Sequence, residues 1–172
     1  TPEQLDLKNF AFKNVTRITS LHWRKMYSPI EGEKLIPEDF IYVNLREPSI
    51  YHNNTTNGCA AHKDFYKACI NATLELIERD NIMRHWARGN SSPHVNLATI
   101  KGKIKENIRY VTGLGFDVKI INCSRFQGIY TFIIFLINKN NSRPKTIVTS
   151  GCSFEPEEAV LKGFREAIGS LL

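Results

Sequence analysis

Apolar and polar positions along this chain follow two different periods. From Asp64 to Ala87 the apolar residues recur three and four apart. Phe65, Ala68, Cys69, Ala72, Leu76, Met83 and Trp86 make one stripe, and Tyr66, Ile70, Leu74 and Ile77 make a second. That spacing predicts a helix, and two apolar faces predict a largely buried one. Gly89 and Pro93 close it. The run "LATIKGKIKENIRYVTGLG" reads as an amphipathic helix ending at Gly113 or Gly115. Beyond it the period shortens. "FDVKIIN", "IYTFIIFLIN" and "KTIVTSG" are strand candidates, with "NKNNSRP" as the turn between the second and third. The middle run is almost continuously apolar and rich in Ile and Phe, which predicts a central strand covered on both faces. The last segment, "EPEEAVLKGFREAIGSLL", opens with Pro156 and acidic residues, as helix starts do, and keeps helical spacing to its end. A chain that stops inside a helix suggests a piece of a longer protein, although some domains do finish on a docked helix.

The first part, to about Val43, reads as short strands and turns. "RITSLHW" alternates loosely, and "GEKLIPEDFIYV" has a Gly turn, a Pro break and a second apolar strand. The polar stretch "REPSIYHNNTTNGCAAHKD" leads into the long helix. The expected fold is α+β: strands from both parts in one mixed or antiparallel sheet, with the 64–87 and 156–172 helices packed near each other. There is no internal repeat, and residues 1–172 are expected to form a single partial domain.

Composition narrows the function classes only a little. The 172 residues are 42% hydrophobic and 23% charged, ordinary for a globular domain. The formal net charge of +6 permits an anionic partner, but the basic residues are scattered, so nucleic acid is not expected. The longest apolar run, Tyr130–Ile137, is too short to span a bilayer, so no membrane role is expected. The four cysteines form no C-x-x-C pair, which leaves a zinc ribbon or redox motif unsupported. Several N-x-S/T triplets would suit a secreted, glycosylated protein. One of them, at Asn71, falls mid-helix, and reduced, buried cysteines in a cytoplasmic protein are the preferred reading.

The chemistry concentrates in "ATLELIERD", Ala72 to Asp80. Glu75 and Glu78 stand at i,i+3, and Glu75 and Arg79 at i,i+4, so all three leave one side of the helix. They flank an apolar stripe, and a half-buried carboxylate needs a partner. One answer is an internal Glu75–Arg79 salt bridge with Glu78 in water. The other is a divalent cation on Glu75 and Glu78 with Arg79 facing a phosphate, since Mg2+ takes hard oxygen ligands and a guanidinium forks onto phosphate oxygens. Two carboxylates are too few for a complete site, so a second acidic element would have to face them. The preceding loop "TTNGCA" could bring backbone N–H groups near a phosphate, or simply cap the helix.

The string "TNGCAAHKDFYKACINATLELIERDNIMRHW" resembles the central motif of the YcaO-type ATP-dependent cyclodehydratases: an S-N-G-x-A-A-G loop, an E-x-x-E-R-D helix, then an aromatic. Thr56, Asn57, Gly58, Ala60 and Ala61 fit the loop; Glu75, Glu78, Arg79 and Asp80 fit the helix; Trp86 fits the aromatic. "GCSFEPEEAVLKGFREAIG" resembles the family's following block, with Gly151, Pro156, Ala159 and Glu166 matching, and "SPIEGEKLIP" resembles its upstream turn and strand. The similarity runs from about Ile18 to Gly169.

The resemblance implies ATP and Mg2+ as cofactors, with metal on Glu75 and Glu78 and nucleotide phosphates on Arg79, Asn57, Gly58 and Glu166. It implies activation of a peptide backbone amide: a Cys, Ser or Thr side chain of the substrate attacks the preceding carbonyl. The oxyanion is phosphorylated, and phosphate leaves to give a thiazoline or oxazoline. Related members make thioamides or amidines. It also implies a peptide substrate, a leader-peptide-binding partner protein and a homodimer. The chain departs from the pattern in several places. No second E-x-x-E-R precedes Thr56, His62 stands for the loop's last Gly, and Gly169 and Leu171 stand where the family continues to Gln and Arg. A piece of an enzyme, inactive by itself, or a docking scaffold that has lost ATP use would each look like this. A plain α+β domain with salt-bridged charges is the third reading.

Overall fold

A computed structural model describes residues 22–38, 41–42, 55–89, 92–140 and 143–171. The chain divides into two compact units, Thr1–Asn57 and Gly58–Leu172.

In the first unit, β1 (Trp23–Ser28) and β2 (Gly32–Pro37) pair antiparallel from Trp23↔Pro37 to Ser28↔Gly32. Ser28 Oγ accepts from the N–H groups of Ile30 and Glu31, which turns the chain, and Gly32 supplies the positive φ of 74° that ends the turn. The "SPIEGEKLIP" stretch is therefore a turn and a strand, as its pattern predicts. Most of "RITSLHW" and half of "FIYV" lie outside the described residues.

The second unit opens with α1 (Phe65–Arg88). Asp64 caps it, its side chain accepting from Lys67 N–H, and Gly89 in the left-handed conformation stops it. The helix thus spans what its apolar period predicts, but its burial does not follow. Leu74 and Asn81 are its buried residues, while Phe65, Tyr66, Ile70, Leu76, Met83 and Trp86 are exposed. The expectation of a largely buried helix is wrong for this chain: one narrow face meets the sheet, and the rest of both apolar stripes does not. The "LATIKG…" run also splits, into a 3-10 turn at Leu97–Thr99 and α2 (Gly102–Gly113), because Gly102 at φ 62° breaks the helical path.

β3 (Phe116–Asn122), β4 (Tyr130–Asn138) and β5 (Thr146–Ser153) form an antiparallel sheet in the order β3-β4-β5. The apolar run is the central strand. Phe132, Ile134 and Leu136 on one face pack with Phe116, Ile120, Ile147, Ile104 and Val111, and with Ala159, Val160, Phe164 and Ala167 of α3 (Pro156–Gly169). On the other face, Thr131 and Ile133 are buried and Thr131 meets α1. The prediction of cover on both faces holds.

One expectation about assembly does not hold. Among the described residues β1 and β2 pair only with each other, so the strands of the two parts make separate sheets. The first and last long helices do come near each other, as expected, but from opposite faces of this sheet. Ser150, on one face of β5, bonds α1, while Thr149, on the other, donates to Gly163 O of α3. The sheet lies between the helices, and they approach only around its β5 edge. Two glycines set that edge. A Cβ on Gly151 would lie 2.1 Å from Ala159 O, and one on Gly163 would lie 2.7 Å from the Ile134 side chain. Helix and strand meet backbone to backbone, which no larger residue allows.

Candidate functional site

The carboxylates of α1 have different surroundings. Glu75 is engaged on both oxygens: Oε2 accepts from Gly58 N–H at 3.1 Å, and Oε1 accepts from Arg79 Nε at 3.0 Å. The Glu75–Arg79 salt bridge predicted from the i,i+4 spacing is therefore present. The Gly58 bond was not foreseen. Gly58 sits at φ 76° with Leu76 packed where a Cβ would go, so the loop turns tightly enough to place its N–H on the helix. That amide is occupied by Glu75 within the chain.

Glu78, one turn on, is not in water. Ser150 Oγ of β5 donates to its Oε1 in a short contact, and burial pushes its carboxyl above the ordinary 4.5. The Ser150 hydrogen bond works against that rise. The nearby Glu166 charge adds to it, and Lys162 and Arg79 reduce it. Glu166 and Lys162 come from α3, one helical turn apart, and Lys162 Nζ donates to Cys152 O at 3.0 Å. The salt-bridge reading is thus right about Glu75 and wrong about Glu78.

Asp80 accepts from Arg84 Nε at 2.7 and 2.8 Å and lies 3.8 Å from Arg125. Asn57 is exposed in the first unit, its N–H bonded to Thr55 Oγ1 at 3.2 Å, and Trp86 is exposed on α1. Buried beside Glu78, the Cys123 thiol is pushed up to about 11 and that of Cys152 is also raised, so both are neutral and poor nucleophiles. All four cysteines are free; Cys123 and Cys152 are buried as expected, whereas Cys59 is exposed.

The fold therefore brings together Glu78, Ser150, Lys162 and Glu166 from three elements, with the Glu75–Arg79 pair one turn along. Ser150 carried no sequence signal, since only strand pairing brings it to α1. Lys162 did: it stands at i,i+4 from Glu166. A half-buried carboxylate whose proton affinity is raised by burial and by a second carboxylate nearby is a donor set that suits a divalent cation. No group of three or more His, Cys, Asp or Glu side chains converges among the described residues. The residues present fit part of a Mg2+ site, whose remaining ligands would be phosphate oxygens or water.

Comparisons with known proteins bear on the fold and the family. A search of curated proteins finds no match. Among solved structures, the heterocyclase TruD superposes with a TM-score of 0.71 at 19% identity, over 98% of this chain and 25% of TruD. YcaO from Methanopyrus kandleri, bound with AMPPCP and Mg2+, gives 0.69 at 19% identity, over 86% of this chain and 40% of that one. A chain of the E. coli microcin synthetase McbBCD complex with pro-MccB17 gives 0.69 at 19%, over 83% and 38%. This chain thus spans between a quarter and two fifths of these relatives. At such identity the likeness shows a shared α+β fold. A sequence family described as "YcaO cyclodehydratase, ATP- and Mg2+-binding" matches residues 1–172. ATP and Mg2+ are the cofactors of that family, and the chain belongs to it.

Proposed function

We propose that this chain forms part of the nucleotide site of an enzyme that uses ATP and Mg2+ to activate a peptide backbone amide by phosphorylation. The product would be an azoline or, in a related reaction, a thioamide. One observation supports the reading above the others: Glu78 is half-buried and bonded by Ser150, its charge opposed by burial and by the nearby Glu166. A protein gains nothing in stability from a half-buried carboxylate facing another, and a cation placed there would relieve both.

In this reading Glu78 and Glu166 hold the metal, with Glu75 one turn away. The bound Mg-ATP supplies the phosphoryl group. Arg79 would hold a phosphate in place of Glu75, its guanidinium being half exposed and the pair exposed enough to exchange at small cost. Lys162, anchored on Cys152 O, would add positive charge to hold the phosphates. Asn57 and Gly58 line the loop ahead of α1; Gly58 serves chiefly by fixing Glu75, since its N–H is already bonded there. The relatives bound to a pro-peptide and to partner subunits support a peptide substrate and a leader-binding partner for this protein too. A homodimer and a cytoplasmic location complete the reading, with no nucleic acid and no membrane. No helix among the described residues is long and apolar enough to cross a bilayer.

The Glu75–Arg79 pairing favours a second reading, a family member that holds peptide without using ATP. Phosphate release by the complete protein, with Mg-ATP and its peptide, separates the two. In the first reading Glu78→Gln lowers release about a hundredfold or more with folding retained. Unchanged peptide modification in that variant would leave only the scaffold.

A further inference from the structure

Past the carboxylates, the C-terminal half of α1 and the end of β3 enclose a cleft of about 210 Å³. Arg84, His85 and Arg88 enter it from the helix, Arg125 from the segment after β3, and Asn81 from beneath. None of its lining residues is acidic. Asp80 neutralises Arg84 through two hydrogen bonds and reaches Arg125 only at 3.8 Å. The Arg88 side chain has no hydrogen bond or ion pair among the described residues. The cleft therefore carries uncompensated positive charge. Asn81 adds a second requirement. It is wholly buried; its Nδ2 donates to Thr131 Oγ1 at 2.9 Å, and its Oδ1 has no partner. An unsatisfied buried carbonyl is costly, and such an atom marks a site that expects a donor.

We propose that this cleft binds an acidic residue of a peptide, with a backbone N–H of the ligand donating to Asn81 Oδ1 and its carboxylate seated between Arg88 and Arg125. The two demands together select this chemistry. An inorganic anion answers the arginines but offers little to the carbonyl, and a neutral amide does the reverse. The volume suits one residue and is below that of ordinary cofactor pockets. Asn81 follows Glu78 by one helical turn, so the cleft adjoins the carboxylate site. In identifying that peptide with the substrate, the inference rests on the function proposed above.

The test uses the complete protein and N-acetyl-L-glutamate, which joins one amide N–H to a carboxylate, followed by titration calorimetry. Binding at millimolar concentration is expected. N-acetyl-L-glutamine amide, which has no carboxylate, and inorganic phosphate should each bind at least about tenfold more weakly. Arg88→Gln and Arg125→Gln should each weaken N-acetyl-L-glutamate about tenfold, and Arg88→Lys should restore part of the loss. Both arginines are exposed enough for the variants to fold, which circular dichroism checks. No binding, equal binding of phosphate, or two Gln variants indistinguishable from the parent would overturn the inference. Mg-ATP binding is measured in the same samples. If it fails while N-acetyl-L-glutamate behaves as described, the nucleotide reading falls and the cleft stands; the converse result removes only the cleft.

Discussion

At the scale of single residues, Glu78 is the informative position. Its folded proton affinity is raised above the ordinary 4.5, chiefly by burial and then by Glu166, with Ser150 opposing. The native state therefore holds a proton where the unfolded chain has released it. As pH climbs from about 4.5 through the raised value, stability falls, and below that window the penalty is absent. Glu78→Gln should raise the melting temperature at neutral pH without nucleotide and flatten its dependence on pH. The same variant should lose the further rise that Mg-ATP gives the parent. Thermal unfolding followed between pH 4 and 8 checks both, and a lower melting temperature at neutral pH would contradict the account. Glu158 behaves in the opposite sense: the Arg165 guanidinium, 2.7 Å away, holds it below the usual carboxylate range. It is exposed, so Glu158→Ala is expected to change the unfolding midpoint very little. The E-x-x-E-R spacing was enough to read the salt bridge, because both partners lie on one helix. It could not tell Glu75 from Glu78, because what separates them is a serine 72 positions away.

Among the elements, the ends of α1 were legible and its environment was not. Asp64 and Gly89 are local signals, and capping acts over a few residues. Asp64→Ala should cost about 1 kcal/mol, read from urea unfolding. Burial depends on what surrounds the helix, and periodicity is silent on that, so the two apolar stripes overstated it. The strands were read closely because a nearly unbroken apolar run of that length admits few alternatives. The contact of β5 with α3 was not read at all, although its glycines stand plainly in the sequence. Gly151→Ala would drive a methyl group against Ala159 O, which is backbone and cannot rotate away. The expected loss is about 3 kcal/mol or more, at the upper end of what overpacked cores show, and a denaturant midpoint unchanged from the parent would refute the close approach. Gly163→Ala meets the end of a flexible Ile134 side chain first, so its loss should be smaller.

For the whole molecule, stability should be distributed unevenly. β4 contributes Phe132, Ile133, Ile134 and Leu136 to the buried set, and α3 contributes Ala159, Val160, Phe164 and Ala167. The β1–β2 hairpin is mostly exposed. Amide exchange should be slowest in β4 and α3 and fast in the hairpin; protection of the hairpin equal to that of β4 would contradict this. The α+β class, the antiparallel sheet and the family were all readable from the chain, because each rests on local patterns or on a motif. How the strands divide into sheets was not, since pairing between distant segments leaves no periodic trace.

The bare-backbone seam between Gly151 and Gly163 also limits how this protein can adapt. With no side chain between them, β5 and α3 have no cushion to compress and must travel as one piece, carrying Ser150, Lys162 and Glu166 at fixed mutual spacing. Accommodation of a bulkier guest then falls to the opposite jaw, α1, which touches the sheet along a narrow strip and can tilt. Variation that tunes the grip should accumulate on that helix, while the seam itself stays glycine.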